Sequence, residues 1–143
     1  MLRTGLMPSP SDRRHRTLVV VAQASMKQLQ VLADQASVPM TRMFEAVVQL
    51  GLASPGVRRR MPRLVRNLAI TDHQGTLGPR HRTTVVLARD TYRALAHLAV
   101  DEAVPVKVAL DALLELALQT KSLVRAAVPL AQQIESEYRT GTR

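Results

Sequence analysis

The chain has 143 residues, a formal net charge of +9 at pH 7, no cysteine or tryptophan, and only one phenylalanine and two tyrosines. The lack of cysteine excludes disulfides and thiolate metal sites and is typical of a protein from the reducing cytoplasm. The longest strictly apolar run, residues 18–22, is too short to span a membrane. The positive charge predicts a polyanionic partner, nucleic acid first and an acidic membrane surface second, and the scarcity of aromatic rings argues against proteins that stack unpaired bases.

The first 13 residues show no periodic pattern. They contain a glycine, two prolines in a Pro-Ser-Pro context and more basic than acidic residues. We therefore expect residues 1–13 to be a disordered basic arm.

An internal repeat begins at residue 14 and organises the rest of the chain. Residues 14–52 align without a gap with residues 80–118, at an offset of 66, and 15 of the 39 aligned positions are identical. A unit of this length rarely buries a stable core alone. The two copies therefore need each other, or a second chain.

Each copy opens with a predicted strand and continues with a predicted helix. Thr17–Val21 and Thr83–Leu87 contain only Thr, Val and Leu, which favours strands. Apolar residues then recur at helical spacing, from position 26 to 33 and from 92 to 99. Asp90 is predicted to be the N-cap of the helix in the second copy.

A second helix follows a break in both copies. The dipeptides Val38-Pro39 and Val104-Pro105 interrupt the pattern, and each proline is well placed as the first residue of the next helix. The helix after it is strongly apolar, around Val47 in the first copy and Leu113 in the second.

The copies are joined and followed by segments with weaker patterns. Residues 53–79 predict a basic connector with a short helix interrupted at Pro62 and a glycine-containing loop, and residues 119–143 predict a C-terminal helix and a polar tail. Val57-Arg58-x-x-Met61-Pro62 resembles Val124-Arg125-x-x-Val128-Pro129, which suggests that the duplication extends this far.

The order strand, helix, helix resembles the ribbon-helix-helix family of DNA-binding proteins. The resemblance covers both copies and is carried by Arg82-Thr83-Thr84, Leu87, Leu95-x-x-Leu98-Ala99 and Val104-Pro105. A lone strand leaves its backbone groups unpaired, so this fold needs a second strand. The resemblance implies a mainly α fold with a two-stranded antiparallel β-ribbon, formed by a tandem pseudo-dimer within one chain.

The family's ribbon enters the major groove of DNA. With alternating side chains and Leu87 facing the core, the outward positions expected to contact bases are Arg16, Leu18, Val20, Arg82, Thr84 and Val86. Three of them are apolar, which departs from the family's usual polar residues. We expect Arg16, Arg82 and Thr84 to provide most of the base discrimination. The alternative is a ribbon that is buried on both faces and contacts no base.

Phosphate contacts are expected at two places. The first is the N-terminus of each second helix, where free backbone N–H groups and the helix dipole attract anions. The second is the arginine-rich connector, which also contains Arg66. The residues assigned to phosphate are Met40, Thr41, Arg42, Val106, Lys107, Arg58, Arg59, Arg60 and Arg63.

Catalysis is not expected. No two of the four histidines have a metal-ligand spacing with a carboxylate nearby, and the chain has no glycine-rich phosphate loop and no Ser/His/Asp context. We therefore predict no catalytic residue, no metal and no cofactor.

These features predict a sequence-specific double-stranded DNA-binding protein, a transcriptional repressor associated with the nucleoid in the cytoplasm. Because the two strands differ, its DNA site should lack perfect dyad symmetry. Alternatives are a plasmid conjugation or partition accessory protein that binds an origin site, an antitoxin whose segment 121–143 binds a partner protein, and non-specific chromatin-like binding. Self-association on adjacent sites is left open.

Overall fold

A computed structural model describes residues 14–73 and 80–141, with side chains for 16–68 and 80–141. The predicted arm, residues 1–13, and the loop residues 74–79 lie outside the described part. The fold is mainly helical with a two-stranded antiparallel sheet. Its elements are β1 (Arg14–Ala22), α1 (Gln23–Ala36), α2 (Met40–Ala53), α3 (Pro55–His73), β2 (Arg80–Ala88), α4 (Arg89–Asp101), α5 (Val106–Gln119) and α6 (Lys121–Thr140).

The two strands pair with each other within the chain. Arg14 lies opposite Ala88, and Ala22 lies opposite Arg80, so each strand is longer at both ends than predicted. At the middle of the ribbon Leu18 lies opposite Thr84. These two residues are separated by 66 positions, the offset of the sequence repeat, so equivalent residues of the two copies face each other there.

The ribbon buries one face and exposes the other. Val19, Val21, Val85 and Leu87 are buried against the helices, as the predicted alternation required. Thr17 and Thr83, the remaining predicted inward residues, are half-buried. The opposite face points to solvent because side chains alternate along a strand.

The ribbon packs against α1, α2, α4 and α5. α2 and α5 pack against each other, with α2 against β2 of the second copy and α5 against β1 of the first. α3 also packs against α5, and α6 packs against α2. α3 buries Val57, Met61 and Val65, and α6 buries Ala127, Ala131 and Ile134. In chain order, a strand followed by three helices occurs twice.

The breaks between the first and second helices have the same geometry in both copies. Ser37 and Ala103, again 66 residues apart, both have φ of 57°. The next N–H donates back to the helix in each case, from Val38 to Ala33 at 3.1 Å and from Val104 to Ala99 at 3.0 Å. Left-handed residues of this kind commonly end helices. The predicted breaks are confirmed, with both prolines at the N-cap, one residue earlier than predicted.

Two predicted details are wrong. Asp90 is not an N-cap, because β2 continues directly into α4 and Ala88 occupies that position. Asp90 instead lies in the first turn, where a carboxylate interacts favourably with the helix dipole. Pro62 does not interrupt its helix, because α3 extends through it for 19 residues. The proline ring is exposed, so it takes no part in the core.

Among the described residues, no helix combines enough length with enough apolar side chains for a bilayer-spanning segment.

Candidate nucleic-acid interface

The exposed face of the ribbon carries three cross-strand pairs. Arg16 lies opposite Val86, Leu18 opposite Thr84, and Val20 opposite Arg82. Successive pairs on one face are about 7 Å apart, because a strand rises about 3.4 Å per residue. The two arginines therefore lie at diagonally opposite ends of this face, about 14 Å apart along the ribbon.

These six residues differ in exposure. Arg16, Arg82 and Thr84 are exposed, and Leu18 is 57% exposed, whereas Val20 and Val86 are half-buried. The alternative of a ribbon buried on both faces does not hold for this chain. An exposed leucine at the centre of an ordered ribbon leaves apolar surface available to a partner.

The chemistry of this face suits contact with base edges. Two guanidinium groups donate hydrogen bonds in a planar fork, which matches the O6 and N7 acceptors of guanine. The Thr84 hydroxyl can donate and accept, and the three apolar side chains can contact a thymine methyl group. No acidic residue occupies any of the six positions.

The second helices begin beside the two edges of the ribbon. Thr41, in the first turn of α2, accepts a hydrogen bond through Oγ1 from the Val86 N–H at 3.2 Å. Val106 and Lys107, at the start of α5, line a recess of about 300 Å³ beside residues 17–20 of β1. Neither helix has a side-chain cap hydrogen bond, and the first N–H groups of a helix have no acceptor in the preceding turn. The side chains of Met40 and Val106 pack on the core, which leaves only their backbones for phosphate.

Arg42 has partners inside the protein. Its Nε donates to Glu135 Oε1 at 3.0 Å, and its guanidinium lies 3.5 Å from the centre of the Tyr138 ring. Glu135 is also bound by Arg139, at 3.0 Å. Arg42 therefore joins α2 to the end of α6, so the side chain predicted to contact phosphate already has partners within the protein.

The arginines of α3 are exposed but lie apart from the ribbon. Arg60 donates to Gln119 Oε1 at 3.4 Å, at the last residue of α5, whereas Lys107 lies beside the ribbon at the start of that helix. Lys107 and Gln119 are about 18 Å apart along α5, at 1.5 Å per residue. Arg58 donates to the Leu52 carbonyl at 3.4 Å, near the end of α2. The structure does not bring Arg58, Arg59, Arg60 and Arg63 together with the outward face of the ribbon.

Sequence reasoning missed a buried carboxylate that anchors the ribbon. Asp111 of α5 accepts hydrogen bonds from the Arg80 guanidinium and, at 3.3 Å, from the Ala22 N–H. Arg80 also donates to the Val20 carbonyl at 3.1 Å. One aspartate thus ties the first residue of β2 and the last residue of β1 to the helix beneath them.

A second buried acid occupies the equivalent position of the other copy. Glu45 is fully buried in α2, 66 residues before Asp111, and accepts from Gln49 at 2.8 Å and from the Tyr138 hydroxyl at 3.3 Å. A sequence signal existed, because both copies place an acid in the middle of their most apolar helix. A buried carboxylate needs partners.

No protein-family model, curated protein or solved structure matches this chain. Within residues 14–73 and 80–141, no group of three or more His, Asp or Glu side chains is placed to hold a metal ion.

Proposed function

We propose that this chain is a sequence-specific double-stranded DNA-binding protein that inserts the β1–β2 ribbon into the major groove. The observation that carries the proposal is the exposed face of the ribbon, where Arg16, Leu18, Thr84 and Arg82 lie side by side above a packed helical layer. A two-stranded ribbon fits the major groove, which is about 12 Å wide. By occupying an operator, the protein would act as a transcriptional repressor in the cytoplasm, associated with the nucleoid.

The arrangement of the copies supports a tandem ribbon-helix-helix pseudo-dimer. Equivalent residues meet at Leu18 and Thr84, and the left-handed residues Ser37 and Ala103 occur at the same place in both copies. Each second helix packs against the other copy's strand. A pseudo-twofold axis through the centre of the ribbon accounts for all three features.

Such an axis refines the expected symmetry of the DNA site. Arg16 is equivalent to Arg82, and Val20 to Val86, so the outer parts of the exposed face are the same in both copies. Only the central pair, Leu18 and Thr84, differs. We therefore infer that the site is an inverted repeat with an asymmetric centre. A separation of about 14 Å between the arginines corresponds to about four base pairs.

Selection from random duplex DNA tests this proposal. The expected motif has two strongly preferred guanines on opposite strands, about four base pairs apart. The base pairs between them should not be symmetric about the centre of the site. Leu18→Thr makes the six outward residues the same in both copies, so its motif should become palindromic at the centre. As a control, Val100→Thr also replaces an exposed apolar residue with threonine, at a 77% exposed position on α4 away from the ribbon. It should leave the motif unchanged.

Two outcomes would contradict the proposal. Absence of any enriched motif would remove sequence-specific binding and leave non-specific binding as the function. An enriched motif that Leu18→Thr and Arg82→Ala both leave unchanged would show that another surface contacts the bases.

The alternative functions differ in their support. An accessory protein at a plasmid origin would use the same ribbon contacts, so the two functions differ only in where the DNA site lies. An antitoxin role through residues 121–143 has less support, because α6 buries Ala127, Ala131 and Ile134 against the fold and its end is held by Arg42. A segment already used in the core has less apolar surface left for a partner.

A further inference from the structure

The outer face of α3 is a strongly basic surface. Its five arginines, at positions 58, 59, 60, 63 and 66, are all exposed, and no acidic residue occurs between residues 55 and 71. Arg59, Arg63 and Arg66 follow helical spacing and lie on the side opposite the buried Val57 and Met61. We call these five residues the arginine face.

The position of the arginine face separates it from the ribbon. Arg60 contacts Gln119 at the end of α5, about 12 Å along that helix beyond Asp111, which contacts the ends of the ribbon. At physiological ionic strength the Debye length is about 8 Å. A DNA duplex on the ribbon would therefore neutralise little of the charge at Arg58, Arg59 and Arg60.

We propose that the arginine face binds a second segment of duplex DNA, so that one protein molecule bridges two duplexes. This inference depends on the proposed function of the ribbon, which supplies the first duplex. The arginine face extends about 12 Å along α3, and one DNA strand presents a phosphate about every 3.4 Å of its axis. Several phosphates can therefore be contacted at once, without sequence preference.

Other anionic partners fit the arginine face less well. A recess of about 460 Å³ beside Arg59, Arg60 and Arg63 is also lined by Glu115, whose carboxylate repels a small anion seated there. Arg58 and Arg66 lie outside that recess and would be left unused. For a membrane surface, the exposed residues 58–67 include no large apolar side chain that could enter the lipid. An extended polyanion can contact arginines both inside and outside that recess.

A capture experiment tests bridging directly. A biotinylated duplex with the selected site is immobilised, the protein is added, and a labelled duplex without the site is supplied at physiological salt. The wild-type protein should retain the labelled duplex. The double reversal Arg59→Glu/Arg63→Glu should reduce retention by about tenfold or more, while its affinity for the specific duplex changes by less than about threefold.

The matched control reverses the charge of two basic residues on another helix that are also four positions apart. Lys121 and Arg125 are exposed on α6, which follows the second copy as α3 follows the first. Lys121→Glu/Arg125→Glu changes the net charge by the same amount and should leave retention at the wild-type level. Thermal melting of both variants within a few degrees of the wild type shows that each is folded.

Each remaining outcome has a distinct meaning. Specific binding without retention of the labelled duplex would overturn bridging and leave the proposed function intact. An equal loss of specific affinity and of retention in Arg59→Glu/Arg63→Glu would place the arginine face on the flanks of the first duplex instead. Retention of acidic phosphatidylserine vesicles but not of duplex would assign the face to a membrane. Failure of the wild-type protein to prefer any duplex would contradict the proposed function itself.

Discussion

The buried pair Arg80–Asp111 should make a measurable contribution to stability, and Asp111→Asn tests it. The substitution keeps an oxygen that can accept from the Ala22 N–H but removes the charge opposite the guanidinium. Breaking a fully buried ion pair costs about 3–5 kcal/mol. The Arg80 side chain is 23% exposed and keeps its bond to the Val20 carbonyl, so we expect a smaller loss, about 2 kcal/mol.

The corresponding change in melting temperature follows from the length of the chain. Unfolding entropy of about 2.1 cal/mol/K per residue gives about 0.3 kcal/mol/K for 143 residues, so 2 kcal/mol lowers Tm by about 7 °C. Thermal and urea unfolding followed by circular dichroism measures both quantities. Glu115→Gln removes the same charge one turn further along α5, at a half-buried position, and should change Tm by less than about 2 °C.

A double-mutant cycle separates the pair from other effects of the substitution. Arg80→Ala, Asp111→Asn and the double variant should show a coupling energy of at least about 1 kcal/mol. A coupling energy near zero would mean that the contact between these side chains contributes nothing to folding. The Ala22 N–H bond to Asp111 would then be the remaining described hydrogen bond between the ends of the ribbon and α5.

Three further predictions concern a turn, a base contact and the core. Ala103→Gly should stabilise the protein by about 1 kcal/mol and raise Tm by about 3 °C, because an exposed residue at φ 57° favours glycine; a lower Tm would refute the argument from strain. Arg82→Ala should weaken preference at one base pair by about 1–3 kcal/mol in competition binding, and an equal loss on all sequences would show a phosphate contact instead. Phe44→Ala removes a side chain with 0% exposure and should lower the free energy of unfolding by about 3–5 kcal/mol in urea titrations, and a loss below about 1 kcal/mol would contradict its place in the core.

The pairing of the two strands and the alternation of their side chains could be predicted from the sequence, because both follow from the local residue types and the internal repeat. Thr, Val and Leu at every position of 17–21 and 83–87 favour strands, and a strand of that kind needs a partner. Once Leu87 is placed inward, the two-residue period assigns every other side chain to a face. The structure confirms this assignment for the buried residues Val19, Val21 and Val85.

Long-range contacts were not accessible in this way. Arg42 looked like a phosphate ligand because its partner, Glu135, lies 93 positions later in the chain. The connector was predicted to contain a short helix because a proline such as Pro62 usually ends a helix. In the structure α3 continues past Pro62, because its packing on α5 stabilises the longer helix. The position of the α3 arginines also depends on the helix against which α3 packs. No local sequence pattern predicts that helix.

If the β1–β2 ribbon binds DNA as proposed, its formation within one chain determines how occupancy of the DNA site depends on the amount of protein. A binder assembled from two separate subunits must first associate, and at high dilution its occupancy falls with the square of the subunit concentration. Here one polypeptide contains both strands of the ribbon, so occupancy of the DNA site should decline only in proportion to the protein concentration. A small number of protein molecules per cell could therefore keep the DNA site occupied. Dilution of the protein at cell division would lower this occupancy gradually.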